Sequence, residues 1–326
     1  MPLVEIPRLR QRLEHLYRDA GLNERDAAAI SGIIIDAEAA GRATHGLIRV
    51  PPQLKHLSTR PHTEGEWLVD EPSRALYDGR DGLGYLVAHV VAEKAVAMLA
   101  RSAVAVIGCR GATHTGPIGY FARKVALEGH ISLWFANCSP MAAPYGSTEP
   151  VLGTNPVTAG LPNDPEPIVA DLATTATTYG DCRVALAEGG DIAEGTALDS
   201  AGAPTVDPSA ALDGGCLLPF GGHKGYALSV IVQLMTTALT GAAAVPGPGG
   251  DYGLSVIAMR RDTLVDTGIY DSITRDLVQA IKSARPAEDG KPALLPGERS
   301  SANRARSASE GIKISSQLYT QIFGGK

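Results

Sequence analysis

Apolar residues recur at helical spacing through residues 5 to 40. Ala27, Ile30, Ile33, Ile34 and Ala37 form one buried face. Asn23 stands where an N-cap is wanted, and Glu24 and Asp26 occupy a first turn that favours acids. Gly41 is a natural residue just past the helix end. A second apolar face runs through residues 84 to 101, and His89 on it, among Val and Ala, reads as a packing residue. The runs "SAVAVIGCR" and "ISLWFANCS" predict buried strands, with a helix over "GPIGYFARKVALEGH" between them. "PIVADLATT" and "CRVALAEG" read as shorter strands or strand-turns. "GYALSVIVQLMTTALTG" predicts a second long buried helix, "YGLSVIAMR" a strand and "YDSITRDLVQAIKSARP" a helix. The last element, "SEGIKISSQLYTQIFGG", is a helix or a helix joined to a strand. "AAAVPGPGGDYG" reads as a flexible loop, and there is no internal repeat.

This alternation predicts an α/β or α+β protein. It lacks the regular march of a doubly wound sheet. The dinucleotide fingerprint G-x-G-x-x-G between a strand and a helix is absent. "GPGGDYG" resembles it but follows a helix and precedes a strand. "GGHKG" lacks the spacing and the Ser/Thr of a P-loop.

Composition narrows the picture further. The chain has 326 residues, enough for two domains or one large one. Apolar residues make up 44% and charged residues 20%, the balance of a soluble globular protein. A formal charge of −6 without a long basic stretch argues against nucleic acid as a partner. No apolar run has membrane-spanning length, and the N-terminal segment has no signal-peptide core, so a cytoplasmic protein is expected. Cys109, Cys138, Cys182 and Cys216 are widely spaced and form no CxxC, so no metal site is expected, and buried reduced thiols are the simplest reading.

Four stretches combine hydrogen-bonding residues with glycine. "GRATHGLIRVP" places Thr44, His45 and Arg49 where the chain leaves a helix; it is either a plain surface loop or a segment that aims side chains at a cleft. "RGATHTGPIGY" puts Thr113, His114 and Thr115 before a helix with Pro117 near its first turn. Free N–H groups there suit a phosphate or carboxylate, or serve an ordinary helix start. In "GTNP…ADLATTATTYGDC", Thr154 precedes a turn, and Asp181 either caps a turn or orients an imidazole. "LPFGGHKGYALS" offers His223 and Lys224 at a helix start, where the glycines allow close approach to a ligand or simply a tight loop.

Taken together, "THGLIRVP", "RGATHTGPIGYF", "ANCSPMAAPYGSTEPVLGTNP", "ADLATT" and "LPFGGHKGYALS" occur in one order over most of the chain. This closely resembles the malate/L-lactate dehydrogenase family that is unrelated to Rossmann-type enzymes, from about residue 5 to 320. The resemblance implies a homodimer with a non-Rossmann nicotinamide-binding domain. That domain has a mainly antiparallel sheet flanked by helices, with a helical substrate and dimerisation region beside it. The implied division is an N-terminal helical region with the catalytic loop (1–110), a nucleotide-binding domain (111–260) and a C-terminal helical region (261–326) that returns to the N-terminal part and adds a cofactor loop.

The form "YGDC", with Asp181 where many hydroxyacid dehydrogenases of the family carry Lys, looks most like the ketimine reductase branch. That branch reduces piperideine- or pyrroline-2-carboxylate to a cyclic L-amino acid. The resemblance implies a relay of Thr44, His45 and Asp181, with Thr in place of the branch's Ser, and His114 as the competing proton donor. Arg49, Thr154, Tyr179 and Gly180 map to substrate. His114, Thr115, Gly116, Pro117 and Ile118 map to the nucleotide, as do Asp171, Leu172, Ala173, Gly222 and His223. So does the run Leu294, Leu295, Pro296, Gly297, Glu298, Arg299, Ser300. From Lys291 to Lys313 five basic residues face two acids, an excess that suits the extra phosphate of NADP over NAD or forms a solvated basic tail. The alternatives are a 2-oxoacid/2-hydroxyacid dehydrogenase and an inactive binding or assembly homologue.

Overall fold

The computed structural model describes residues 2–247, 250–287 and 290–324. Pro248 and Gly249 of the expected flexible loop lie outside these residues. β1 (Leu3–Val4) leads into α1 (Ile6–Asp19), which buries Leu9, Leu13, Leu16 and Tyr17. In α2 (Glu24–Ala39) the expected caps are present: the Asn23 side chain accepts the Asp26 N–H at 2.9 Å, and Gly41 follows at φ 77°. Two 3₁₀ turns, Ala43–His45 and Leu47–Arg49, come next, and then α3 (Val50–Thr59).

β2 (Glu66–Asp70), β3 (Arg74–Gly82), α4 (Gly84–Leu99), β4 (Val104–Ala112), α5 (Ile118–Leu127), β5 (His130–Ala136), β6 (Val157–Leu161) and β7 (Ile168–Leu172) build the middle of the chain. α6 (Tyr179–Glu188) and the short β8 (Ala197–Leu198), β9 (Pro204–Thr205), α7 (Pro208–Leu212) and β10 (Cys216–Leu217) follow. α8 (His223–Thr236), β11 (Tyr252–Arg260), α9 (Thr267–Ser283), α10 (Glu298–Glu310), β12 (Ile312–Lys313) and α11 (Ser316–Phe323) complete it.

The main sheet has the order β2-β3-β4-β11-β5-β6-β7. Only β3 and β4 run parallel; the other neighbours are antiparallel. This is the mainly antiparallel sheet that the resemblance implied. It includes β2 and β3, from a region expected to be helical. α4, α5 and α8 pack against it. Trp134, Phe121, Ile107 and Val256 are fully buried in a cluster that runs from Val4 to Phe323. The C-terminal part returns to the start of the chain: β12 pairs with β1, α10 lies against α2, and α11 against α3.

One expected element is corrected. "CRVALAEG" is not a strand but most of α6. Cys182, Val184 and Leu186 alternate as in a strand, yet only Cys182 is buried. The local ends decide the outcome. Thr178 and Asp181 form a reciprocal capping box at the start, and Gly189 closes the helix at φ 67°. α6 caps a second, smaller apolar cluster of Ala142, Leu152, Cys182, Ile192, Ala197, Ala211 and Leu217.

Candidate active site and cofactor cleft

The turn after α2 and the loop after β4 bring two histidines face to face. The His45 and His114 rings stack with centroids 5.3 Å apart and planes 9° apart. The His45 turn is held from several sides. Arg49 donates its Nε–H to the Thr44 carbonyl at 2.6 Å, and Glu38 accepts the Leu47 N–H at 2.9 Å. Gly46 is needed because a Cβ there would overlap the Glu38 carboxylate. The first turn of α6 rests on the same place: a Cβ on Gly180 would come 2.6 Å from Thr44 Cγ2. Thr44, His45, Arg49, His114 and Gly180 therefore form one constellation, with Tyr179 exposed beside it.

Both imidazoles are neutral at neutral pH. Burial, reinforced by the charges of Arg49 and Arg42, pushes His45 down to about 3. Burial, Arg49 and His45 hold His114 well below the usual histidine range. In the unfolded chain these rings take up protons near 6.5, so the unfolded state binds more protons between that value and about 3. Stability from keeping them neutral is present above 6.5 and is lost as pH falls. His45→Gln should flatten the fall in thermal midpoint between pH 6.5 and 4, with a difference on the order of 1 kcal/mol at pH 5 after allowing for partial solvent screening. Parallel curves for the variant and the parent would contradict a neutral buried His45.

The expected relay contact is not formed. The Asp181 carboxylate accepts the Thr178 hydroxyl at 2.7 Å and the Thr178 N–H at 3.2 Å. His45 Nδ1 is buried without a partner. The helix start claims the carboxylate, because a capping box satisfies two backbone groups at once. Thr154 lies in the neighbouring loop, its hydroxyl 3.6 Å from Cys138 Sγ and its carbonyl accepting the Thr174 N–H at 2.8 Å. Burial pushes the Cys138 thiol up, and Arg49 pulls the other way. The charge of Arg49 thus acts on both histidines and, more weakly, on Cys138.

A cleft of about 470 Å³, open mouth included, lies alongside. Asp36, Arg42, Pro117, Asp171, Gly297 and Ser300 are among its walls. Arg42 links the two regions, since it lines the cleft and its charge acts on His45. α5 starts after Pro117 and α10 after Gly297, and neither N-cap residue supplies a side-chain cap. Asp171 takes the Gly119 N–H at 3.3 Å and the Thr158 hydroxyl at 2.6 Å. Asp171 thus occupies the start of α5, and the Glu298 N–H of α10 bonds the Leu295 carbonyl at 3.1 Å. The anion-binding N–H groups of the cleft are therefore those of Arg299 and Ser300 in the first turn of α10, with the Arg42 guanidinium in the same wall region. These suit a phosphate of a nucleotide without the Gly-rich fingerprint.

The other expected cofactor residues divide. Thr115 and Ile118 are buried beside the cleft loop, and Gly116, at φ 82°, has no room for a side chain because the Tyr85 ring fills it. Leu172 ends β7 exposed, with Ala173 next. The Pro296 carbonyl accepts the Val169 N–H at 3.1 Å, which seats Leu294, Leu295 and Gly297 along the β7 edge. Glu298 is held by Lys282 at 2.7 Å. Arg299 is exposed, whereas Arg304 forks onto Asp36 at 2.8 and 2.9 Å and Arg306 donates to Asn303. Gly222 and His223 lie with Tyr145, whose ring meets His223 edge-on at 6.2 Å, and not in the cleft wall. Sequence reading missed Asp36, Arg42, Tyr85 and Cys138. Asp36 and Tyr85 sit in regular helical runs, and Arg42 and Cys138 sit inside the motif stretches beside residues with a stronger signal, so none of the four stood out.

The sequence profile of the malate/L-lactate dehydrogenase family matches residues 4–323. The chain belongs to the malate/L-lactate dehydrogenase family. It is therefore an oxidoreductase, of a family that uses nicotinamide cofactors. It is 32% identical over 314 residues to L-sulfolactate dehydrogenase of Methanothermobacter thermautotrophicus, covering 92% of this chain and 89% of that one. It is also 32% identical over 325 residues to Delta(1)-pyrroline-2-carboxylate/Delta(1)-piperideine-2-carboxylate reductase of Pseudomonas syringae pv. tomato, covering 95% and 92%. The structure of sulfolactate dehydrogenase from Methanocaldococcus jannaschii superposes with a TM-score of 0.90 at 29% identity, covering 98% of this chain and 95% of that one. The expected family is thus the one found. The sulfolactate dehydrogenase and the ketimine reductase named above are thus equally identical to this chain.

Proposed function

We propose that the protein reduces a small cyclic ketimine carboxylate, of the piperideine- or pyrroline-2-carboxylate type, to the cyclic L-amino acid with NADPH. The observation that carries this reading is the pair of neutral, stacked imidazoles beside the Arg49 guanidinium. Asp181 in place of Lys, and the reductase relative that spans nearly the whole chain, favour the imine over the oxo acid. When bound, the nicotinamide supplies the hydride. Arg49 grips the substrate carboxylate through its fork. That carboxylate offsets the Arg49 field, so the nearby imidazole recovers affinity for a proton. His45 then takes a proton from solvent and passes it to the imine nitrogen as hydride reaches the carbon, so that C=N becomes CH–NH and the ring returns to its neutral form. In the reverse direction the neutral ring is ready to accept that proton. The Thr44 methyl, pressed against Gly180, limits the space above the ring.

A second reading, reduction of a 2-oxoacid, is favoured by the seat of His114 directly against His45 and by the sulfolactate relative. The exposed apolar residues Ile231 and Leu234 of α8, and Ile269, Ile273 and Leu277 of α9, support a homodimer in either case. The deciding experiment assays the purified protein with NADPH and NADH against piperideine-2-carboxylate, pyrroline-2-carboxylate, pyruvate and oxaloacetate. Turnover of the cyclic imines is expected; turnover of the oxo acids alone would reject the ketimine assignment. A folded sample that binds no nicotinamide by calorimetry would reject both enzymes. In the same calorimetry Arg299→Ala should weaken NADPH about tenfold and NADH hardly at all, as befits one lost charge-assisted phosphate contact. Equal effects on the two would remove the basis for NADP.

A further inference from the structure

Both histidine loops are held by one residue outside every motif. Tyr85 is the second residue of α4 and is 1% exposed. Its hydroxyl donates to the His45 carbonyl at 2.8 Å. Its ring lies 6.0 Å from the His114 ring, tilted by 41°. The same ring fills the space where a Cβ on Gly116 would sit. The residue before it continues the pattern. The Gly84 N–H donates to Thr113 Oγ1 at 2.9 Å, and a Cβ on Gly84 would overlap the His114 carbonyl. The Thr113 hydroxyl passes the contact on to the Gly82 carbonyl at 3.1 Å.

We infer that Tyr85 is a positioning residue, which sets the spacing and tilt of the His45–His114 pair from the first turn of α4. The inference rests on the proposed role of these histidines in proton transfer. Its physical basis is rigidity. α4 is a four-turn helix packed into the main core, with Val87, Ala88, Val91, Ala92 and Ala95 buried. A 3₁₀ turn such as Ala43–His45 has few internal bonds and drifts unless tied to something stiffer. The phenol ties it. Burial holds the hydroxyl protonated, so it stays a donor at any working pH. A single side chain thus bonds to one loop while packing against the other. Neither ring can shift without paying either a lost hydrogen bond or a clash. Proton transfer demands this, because sub-ångström errors in the position of an acid lower its rate.

The test is Tyr85→Phe, which keeps the ring and removes only the hydroxyl. kcat should fall about 3–10-fold, the range of one lost neutral hydrogen bond, with substrate KM and cofactor Kd within twofold. Imidazole NMR of the ligand-free protein should show the His45 signals moved and its titration shifted towards the ordinary value, as the loosened turn gains water. Tyr85→Leu, which also removes the ring, should disturb His114 as well. If it does not fold, Tyr85→Phe still decides the matter. Unchanged His45 signals and kcat in Tyr85→Phe would overturn the positioning role. That result leaves the reading of the site intact if His45→Ala and His114→Ala are impaired. Full activity in both histidine variants would instead remove the proton-transfer reading. The ligand-free spectra would then still show whether Tyr85 holds the loops.

Discussion

Replacing His45 by alanine is expected to lower kcat by about 10²–10⁴-fold while affinity for the nicotinamide cofactor stays nearly the same. The split follows from where the ring sits. His45 stacks on His114, whereas the N–H groups suited to a phosphate belong to the first turn of α10. Loss of the imidazole leaves that helix start untouched. The reaction still needs one proton at the substrate heteroatom, and water in a half-closed site delivers it poorly. His114→Ala is the internal control. It removes the stacked partner and leaves the His45 ring less buried, so a smaller loss and a shifted pH profile are expected. Steady-state kinetics of both variants, with cofactor Kd by fluorescence quenching, check the split. A parental kcat in His45→Ala with a large loss in His114→Ala would transfer the proton to His114 and move the protein to the hydroxyacid branch.

The sequence signals that were legible were those with a period or a cap. Asn23, the apolar face of α2 and the alternation in β4 and β5 predict elements that the chain forms. α6 misled because its three apolar residues alternate, while its polar ends, Thr178, Asp181 and Gly189, fix a helix. α10 had no apolar period to find. "ERSSANRARSASE" buries no residue and is held to α2 by polar contacts, Arg304 to Asp36, Asn303 to the Ala40 carbonyl and Ser307 to the Ala39 carbonyl. Long-range polar pairing of this kind leaves no local trace. The site follows the same rule. Thr44, His45, Arg49 and His114 were legible because they share short motifs with glycine. Tyr85 was not, because a tyrosine at the head of an apolar helix looks like core. Asp181 was read as either a cap or a relay acid, and the structure uses it as a cap. The basic excess near residue 300 was real as composition, yet Arg304 is already committed to Asp36 and Arg306 donates to Asn303, while Arg299 is exposed.

Arg49→Ala should be the second most damaging change, and Arg49→Lys should rescue little of it. Arg49 acts in two ways. In the proposed reaction its fork is the carboxylate clamp, and in the structure its Nε–H holds the Thr44 carbonyl at 2.6 Å, which fixes the turn that carries His45. Removing a charged partner from a substrate carboxylate typically costs about 2–5 kcal/mol, so kcat/KM should fall at least 30-fold and up to several thousand-fold. Lysine restores the positive charge but not the planar pair of donors, and it has no Nε–H to reach the Thr44 carbonyl at the right angle. Its charge does still act on the histidines. Arg49 is the largest single charge lowering both His45 and His114, after burial itself. In Arg49→Ala that influence vanishes, so the His45 and His114 titrations in the ligand-free protein should both move up. In Arg49→Lys they should stay low. Turnover and imidazole titration therefore separate in the two variants: activity is poor in both, while the histidine shift appears only in alanine. If both variants shifted the histidines equally, the charge of Arg49 would not be the source of the field, and if Arg49→Lys retained parental kcat/KM, the guanidinium fork would not be the clamp.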